Sequence, residues 1–308
     1  MSRDATASQP ARRGRWALAV LALAGLCALV VLPVSRLDHP FVAGSGGQLA
    51  GARTAAQSSP LGRTQPSGGG PPSGLPAGPA LTGSTRGVPF NGTGAVGALF
   101  IDTAGRLVRH FCTASVVHSP QLNLLITAAH CMTGKRLTPP GRIEFAPQYH
   151  SGKFPYGLWP VSAIYQDARW LSRHDPDDDV AFLVVRRPGW HIERHTGAEK
   201  LLVNTRPPEL TRVIGYPDSK EQPVSCTATA RAFGTGSLTQ LVFRCANYTN
   251  GTSGGPFLTQ VSRRTGDGSV IGVIGGYQYG GYSPNVSYSP RFLNNVAALY
   301  KRATSGRS

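Results

Sequence analysis

Two short segments far apart in the chain hold side chains suited to acyl transfer: Thr127-Ala128-Ala129-His130-Cys131 and Gly251-Thr252-Ser253-Gly254-Gly255-Pro256. A serine hydroxyl is a weak nucleophile at neutral pH, so it needs an imidazole to take its proton and donors to hold the oxyanion that follows. Ser253 is the candidate nucleophile and His130 the candidate base. Gly251 and Gly254 can take backbone angles closed to other residues, which lets a substrate carbonyl approach the N–H groups of Gly251 and Ser253 as an oxyanion hole. Such a histidine also needs a buried carboxylate on its other nitrogen, to fix the tautomer and stabilise the imidazolium. Asp177, Asp178 and Asp179 stand between the two segments and are the candidates.

These segments, in the order His, Asp, Ser, resemble the signatures of the trypsin/chymotrypsin-like serine peptidases, over about residues 87–304. In that family the triad aspartate enters an apolar strand, which Asp179-Val180-Ala181-Phe182-Leu183-Val184-Val185 matches, so the resemblance assigns the role to Asp179. Asp177 and Asp178 then read as a solvated acidic turn. The implied fold is all-β: two six-stranded antiparallel barrels at about 87–195 and 200–290, the site in the cleft between them, and a terminal helix at 291–303. The implied activity is that of a serine endopeptidase acting through an acyl-enzyme. The alternative is a weak or inactive peptidase-fold binding protein at the cell surface.

The resemblance also nominates substrate-binding residues. Ile274-Gly275-Gly276-Tyr277 is similar to the strand that pairs with extended substrate backbone, while Asn247 and Tyr248 fall near the primary pocket. Departures from the family matter as much. Thr252 stands where zymogen-activated members carry an aspartate that pairs with a new amino terminus, so no such activation is expected. Asn247 replaces the aspartate that selects basic side chains, Ile274 the histidine of glutamate-specific members, and Gly275 a serine that supports the triad aspartate. The pattern is closer to bacterial secreted members. Arg outnumbers Lys 26 to 5, a bias that fits a high-GC bacterium such as an actinobacterium.

Elements that position these residues follow from pattern and composition. Short β-prone runs at 95–101, 122–127, 179–185, 210–214, 240–245 and 270–277 alternate with Gly- and Pro-rich turns. A helical stretch near 292–302, just after Pro290, sets Phe292, Val296 and Leu299 on one face. Residues 35–86 are nearly all Gly, Pro, Ser, Ala, Thr and Gln and read as a disordered linker. Before it, residues 16–34 carry no charge and follow the basic residues of segment 1–15, which would stay in the cytoplasm. This run enters a membrane either as an uncleaved transmembrane anchor or as a removed signal segment. Both readings export the remainder, membrane-anchored at the surface or secreted.

Export suits disulfides at Cys112, Cys131, Cys226 and Cys245. Four cysteines allow three connectivities. Local pairing is the economical one, and the resemblance favours Cys112 with Cys131. No metal or other cofactor is expected: His191 and His195 stand four apart, but Ile192 replaces the glutamate of a zinc-protease helix, leaving a solvated pair. From Gly87 onward 23 basic face 13 acidic residues, a net +10 within a total of +16. The basic residues are scattered without aromatic interleaving, so nucleic acid is not an expected partner, whereas anionic surface polymers are. A polypeptide substrate and a monomeric state complete the expectations.

Overall fold

The computed structural model describes residues 85–134, 142–234 and 237–306. The expected cytoplasmic terminus, the apolar run and nearly all of the linker lie outside the described residues. Among the described residues, no helix is long and apolar enough to cross a membrane.

The β-prone runs become strands. A first short strand, β1 (Val88–Pro89), belongs to the second of two sheets. The first sheet takes β2 (Val96–Thr103), β3 (Arg106–Leu107), β4 (Cys112–Val117), β5 (Leu124–Thr127), β6 (Ile143–Pro147), β7 (Trp159–Gln166) and β8 (Ala181–Val185). Its order is β3-β2-β4-β5-β8-β7-β6, and β2 also pairs with β6, so six strands close into an antiparallel barrel. Successive side chains on a strand point to opposite faces. On β4 both faces are buried: Cys112, Ala114 and Val116 alternate with Thr113, Ser115 and Val117. Thr113 Oγ1 donates to Gly251 O at 3.0 Å, so the second face meets the other sheet rather than water.

That second sheet comprises β9 (Lys200–Leu201), β10 (Glu209–Gly215), β11 (Val224–Phe233), β12 (Gln240–Arg244), β13 (Pro256–Thr259), β14 (Ser269–Val273) and β15 (Val286–Pro290). Its order is β15-β12-β11-β10-β13-β14-β9, with β1 along β11. The expected two-barrel architecture is therefore present, the first barrel closed and the second a half-barrel. Beyond the end of β14, Gly275 N–H donates to Tyr288 O of β15 at 3.0 Å.

A shared core joins the sheets. Phe145 and Phe182 of the first barrel belong to one apolar cluster with Ile214, Tyr216, Leu258 and Val273 of the second, and Phe243, Phe257 and Tyr248 form a smaller core of their own. The chain crosses between the sheets at Glu199, whose N–H donates to Val116 O at 2.8 Å, while Lys200 N–H donates to Gly268 O at 2.9 Å. Glu199 is fully buried; its Oε2 accepts from Gly268 N–H at 2.5 Å, and burial pushes its carboxyl up to about 8.

Three helices complete the domain among the described residues: α1 (Ala168–Arg173), α2 (Ile192–Thr196) and α3 (Asn294–Thr304). The Asp167 side chain caps α1 by accepting from Arg169 N–H. The expected terminal helix, α3, buries Val296, Leu299 and Ala303, with Phe292 buried just ahead of it. Each such Val or Leu contributes roughly 1.5–3 kcal/mol. Tyr300 OH donates to His118 O at 2.9 Å, and the Tyr300 ring meets Phe182 edge-on, fixing the helix to the first barrel.

Candidate active site

His130 sits in a single tight turn, Ala129–Met132, entered directly from β5. Two restraints hold that turn: the Cys112–Cys131 disulfide ties it to β4, and Gln166 Nε2 donates to Ala129 O at 2.9 Å. The second disulfide joins Cys226 to Cys245, so both pairs are local. The two cysteine sulfurs and the imidazole lie within 4.8 Å of one another, but sulfurs bonded to each other offer no thiolate to a metal.

Asp179 follows a turn at Pro176–Asp178 and precedes β8. It is fully buried, and three donors converge on its carboxylate. His130 N–H donates to Oδ1 at 2.7 Å, Gly276 N–H donates to Oδ2 at 2.7 Å, and His130 Nδ1 lies 2.7 Å from Oδ2. A carboxylate can only accept, so Nδ1 carries the proton and Nε2 is left with a lone pair. The amide of Gly276 supplies the support that a serine at position 275 would give. A Cβ on Gly275 would already lie 3.0 Å from Asp179 Oδ2.

Of the two preceding aspartates, Asp178 is buried and Asp177 half-buried, and both are bonded within the fold. Asp177 accepts from Thr239 N–H and Oγ1 and from Gln240 Nε2; Asp178, 2% exposed, accepts from Arg169 and from Asn295 Nδ2 at 2.8 Å. They pin the Asp179 turn to β12 and α3. Burial raises the Asp178 carboxyl above its ordinary range.

The Ser253 loop is shaped by its glycines. Gly251 has φ of 89° and Gly254 of 80°. A Cβ at Gly254 would lie 2.1 Å from Thr127 Oγ1 and 2.2 Å from Thr113 O, so only glycine lets the loop press against β4 and β5. Thr113 clamps it from both backbone and side chain: its N–H donates to Ser253 O at 2.8 Å and its Oγ1 to Gly251 O. Thr252 is buried with Oγ1 donating to Thr249 O at 2.7 Å, a local bond that calls for no ion pair. Among the described residues, neither Gly251 N–H nor Ser253 N–H has an internal acceptor.

His130 and Ser253 line the same cleft on both of its sides. One hollow, of about 610 Å³, adds Asp218, Tyr248, Ile274 and Tyr279; the other adds Phe111, Gly251 and the Cys112–Cys131 disulfide. The expected substrate residues divide. Tyr248 and Ile274 line the cleft, whereas Asn247 (φ 80°) turns its amide to Gly87 O at 3.0 Å and lines neither hollow. The segment expected to offer an edge to substrate has its amides bonded within the fold. The N–H groups of Ile274, Gly275, Gly276 and Tyr277 go to Gly255 O, Tyr288 O, Asp179 Oδ2 and Gln240 Oε1, and the Tyr277 ring packs on Phe233 and Tyr288. β14 ends at Val273 and the chain turns at Tyr277–Gly280, with Gln278 and Tyr279 at φ of 54°. This strap carries Tyr279 edge-on to His130, ring centroids 5.6 Å apart. Asp218, Gln278 and Tyr279 were not foreseen; the glycine pairs on both sides of Tyr277–Tyr279 were the available signal of an irregular strap.

A histidine held by a buried aspartate and sharing a cleft with a serine, between paired β-barrels, is an arrangement of the serine peptidases as a class. The family model described as Trypsin matches residues 90–302, and the chain belongs to that family. Similar solved structures include protease Anisep from Arthrobacter nicotinovorans, at 25% identity and a TM-score of 0.58, covering 71% of this chain and 99% of that one. The thermostable serine protease AL20 from an extremophilic microorganism is 26% identical with a TM-score of 0.58, covering 70% and 99%. A Glu endopeptidase solved in complex with MPD shares the fold at 14% identity and a TM-score of 0.52, covering 73% and 100%. No curated protein matches the chain.

Proposed function

We propose that the protein is an exported serine endopeptidase in which Ser253 attacks a peptide carbonyl, His130 accepts the hydroxyl proton at Nε2, and Asp179 holds the imidazole. The buried three-donor carboxylate beside His130 carries the reading, because it leaves the base with its free nitrogen available. The tetrahedral oxyanion would accept from the N–H groups of Gly251 and Ser253, which have no internal acceptor among the described residues. His130 then donates its proton to the leaving amine, and water hydrolyses the acyl-enzyme. Two disulfides support an extracytoplasmic location.

One observation favours the second reading, a peptidase-fold binding protein at the cell surface: the strap lays Tyr279 against His130 and uses its own amides internally. A fluorophosphonate probe separates the two. Stoichiometric labelling that disappears in Ser253→Ala supports catalysis; absence of labelling in a folded wild-type protein refutes it. Peptide digestion by the labelled-competent protein then distinguishes an endopeptidase from an esterase-like remnant.

A further inference from the structure

The turn after β8 and the helix beyond it carry a surface that lines neither hollow of the cleft. Arg187-Pro188-Gly189-Trp190 closes with Trp190 N–H donating to Arg187 O at 3.0 Å, and Gly189 has φ of 76°. Pro and Gly at these central places fit a type II turn. Trp190, 49% exposed, stands at the last position of the turn. On the indole lie the Arg187 guanidinium, 4.9 Å from the ring centroid, and the His195 ring, 4.7 Å from it.

Arg187 also joins this turn to a neighbour. Its guanidinium carbon is 5.6 Å from the centroid of buried Trp159, and its Nη1 would lie 3.3 Å from a Cβ on Gly157. Gly157 N–H donates to Phe154 O at 3.0 Å, closing a second turn with Phe154 36% exposed and Lys153 exposed beside it. Arg186, His191 and Arg194, close to Trp190 in the chain, are exposed as well. Glu193 is the one acid in residues 151–160 and 186–196, and it is spent elsewhere: Oε1 lies 2.5 Å from His118 Nδ1 and Oε2 accepts from Ser119 N–H at 3.3 Å.

Cations alone would suit any polyanion. A soluble polymer, however, gives exposed Trp190, and the outer edge that Phe154 keeps beyond its packing on Phe100 and Tyr149, nothing to bury, whereas a bilayer interface takes both the rings and the charges. We infer that this face docks the protein on an anionic lipid surface, with Trp190 and Phe154 at headgroup depth and Arg186, Arg187, Arg194 and Lys153 on the phosphates. The docking is independent of the peptidase reading, since no residue of the cleft takes part.

The test uses the full-length chain with Trp16→Phe, so that Trp190 reports beside the buried Trp159 and Trp170. It is mixed with vesicles of phosphatidylcholine alone, with vesicles of phosphatidylcholine plus phosphatidylglycerol, and with soluble polyphosphate. Expected are a blue shift and protection from acrylamide with the mixed vesicles only. The shift should reverse at ~1 M salt, where the Debye length is ~3 Å. The double change Arg186→Gln, Arg187→Gln should raise the lipid concentration at half-maximal Trp190 shift about 30-fold at two charges lost, a readout that the apolar run at 16–34 does not supply. Trp190→Phe removes the signal and identifies its source while keeping a ring in the turn; fluorophosphonate labelling reports that the variants are folded, and circular dichroism does so if no variant labels. Equal shifts with both vesicle types, an equal shift with polyphosphate, or a shift that survives the double change would each overturn the proposal.

Discussion

Asp179→Asn tests the central reasoning most sharply. The carboxylate accepts three N–H groups, and an asparagine offers one acceptor oxygen and one NH2 in the same space. With the NH2 in the place of Oδ1, His130 N–H loses its acceptor, at a cost of about 1–3 kcal/mol of stability. With the NH2 in the place of Oδ2, it confronts both Gly276 N–H and His130 Nδ1. The imidazole escapes by moving its proton to Nε2, the nitrogen that must accept from Ser253. In this second orientation the expected loss is ~10⁴ in rate, or about 5.5 kcal/mol of transition-state stabilisation, whereas the first keeps an oxygen on Nδ1 and shows as lost stability alone. Rate constants for fluorophosphonate labelling, beside chemical denaturation at the same pH, measure both effects. Asp178→Asn serves as control, because that carboxylate bonds Arg169 and Asn295 and not the imidazole. An Asp179→Asn protein that labels within about tenfold of wild type with undiminished stability would refute the assigned roles of both carboxylate oxygens.

Three further outcomes are expected. Gly254→Ala, which sets a Cβ 2.2 Å from Thr113 O at φ of 80°, should cost at least about 2 kcal/mol in denaturant unfolding and abolish labelling. Tyr279→Ala should speed labelling and raise kcat/KM for peptides by freeing the space over His130; a slower reaction would mean that the ring positions the imidazole instead. Glu199 makes stability pH-dependent: its carboxyl rises from 4.5 to about 8 on folding, so between those values the folded chain holds a proton that the unfolded chain has released. Its contribution to stability is then full below about pH 4.5 and is lost as pH climbs to about 8. Unfolding curves of Glu199→Gln should be flatter across that window.

Local chemistry was the legible part of the chain. His130 and the Ser253 loop announce themselves through residue types, and apolar runs between turn residues mark much of both sheets. Long-range partners were not legible. Asp177 and Asp178 look like a solvated turn until Thr239 and Asn295, more than sixty residues downstream, arrive to bond them. Asn247 was expected in the cleft, but its φ of 80° and a bond to Gly87, at the edge of the apparent linker, turn it away. The run at 270–277 reads as one strand because β-propensity describes how side chains pack, not where backbone donors go. Glycines at 275, 276, 280 and 281 free the backbone there, and pairing with Asp179 and Gln240 decides its course.

Strand β4 touches both halves of the reaction centre. Cys112 anchors the histidine's turn, and one residue further on Thr113 grips the serine's loop through its amide and its hydroxyl. The proposed nucleophile and base are thus gauged from one short rod, not from two bodies free to drift. Flexing between the sheets should carry them along together, and heat should silence the enzyme abruptly, when that rod lets go, with little gradual detuning beforehand.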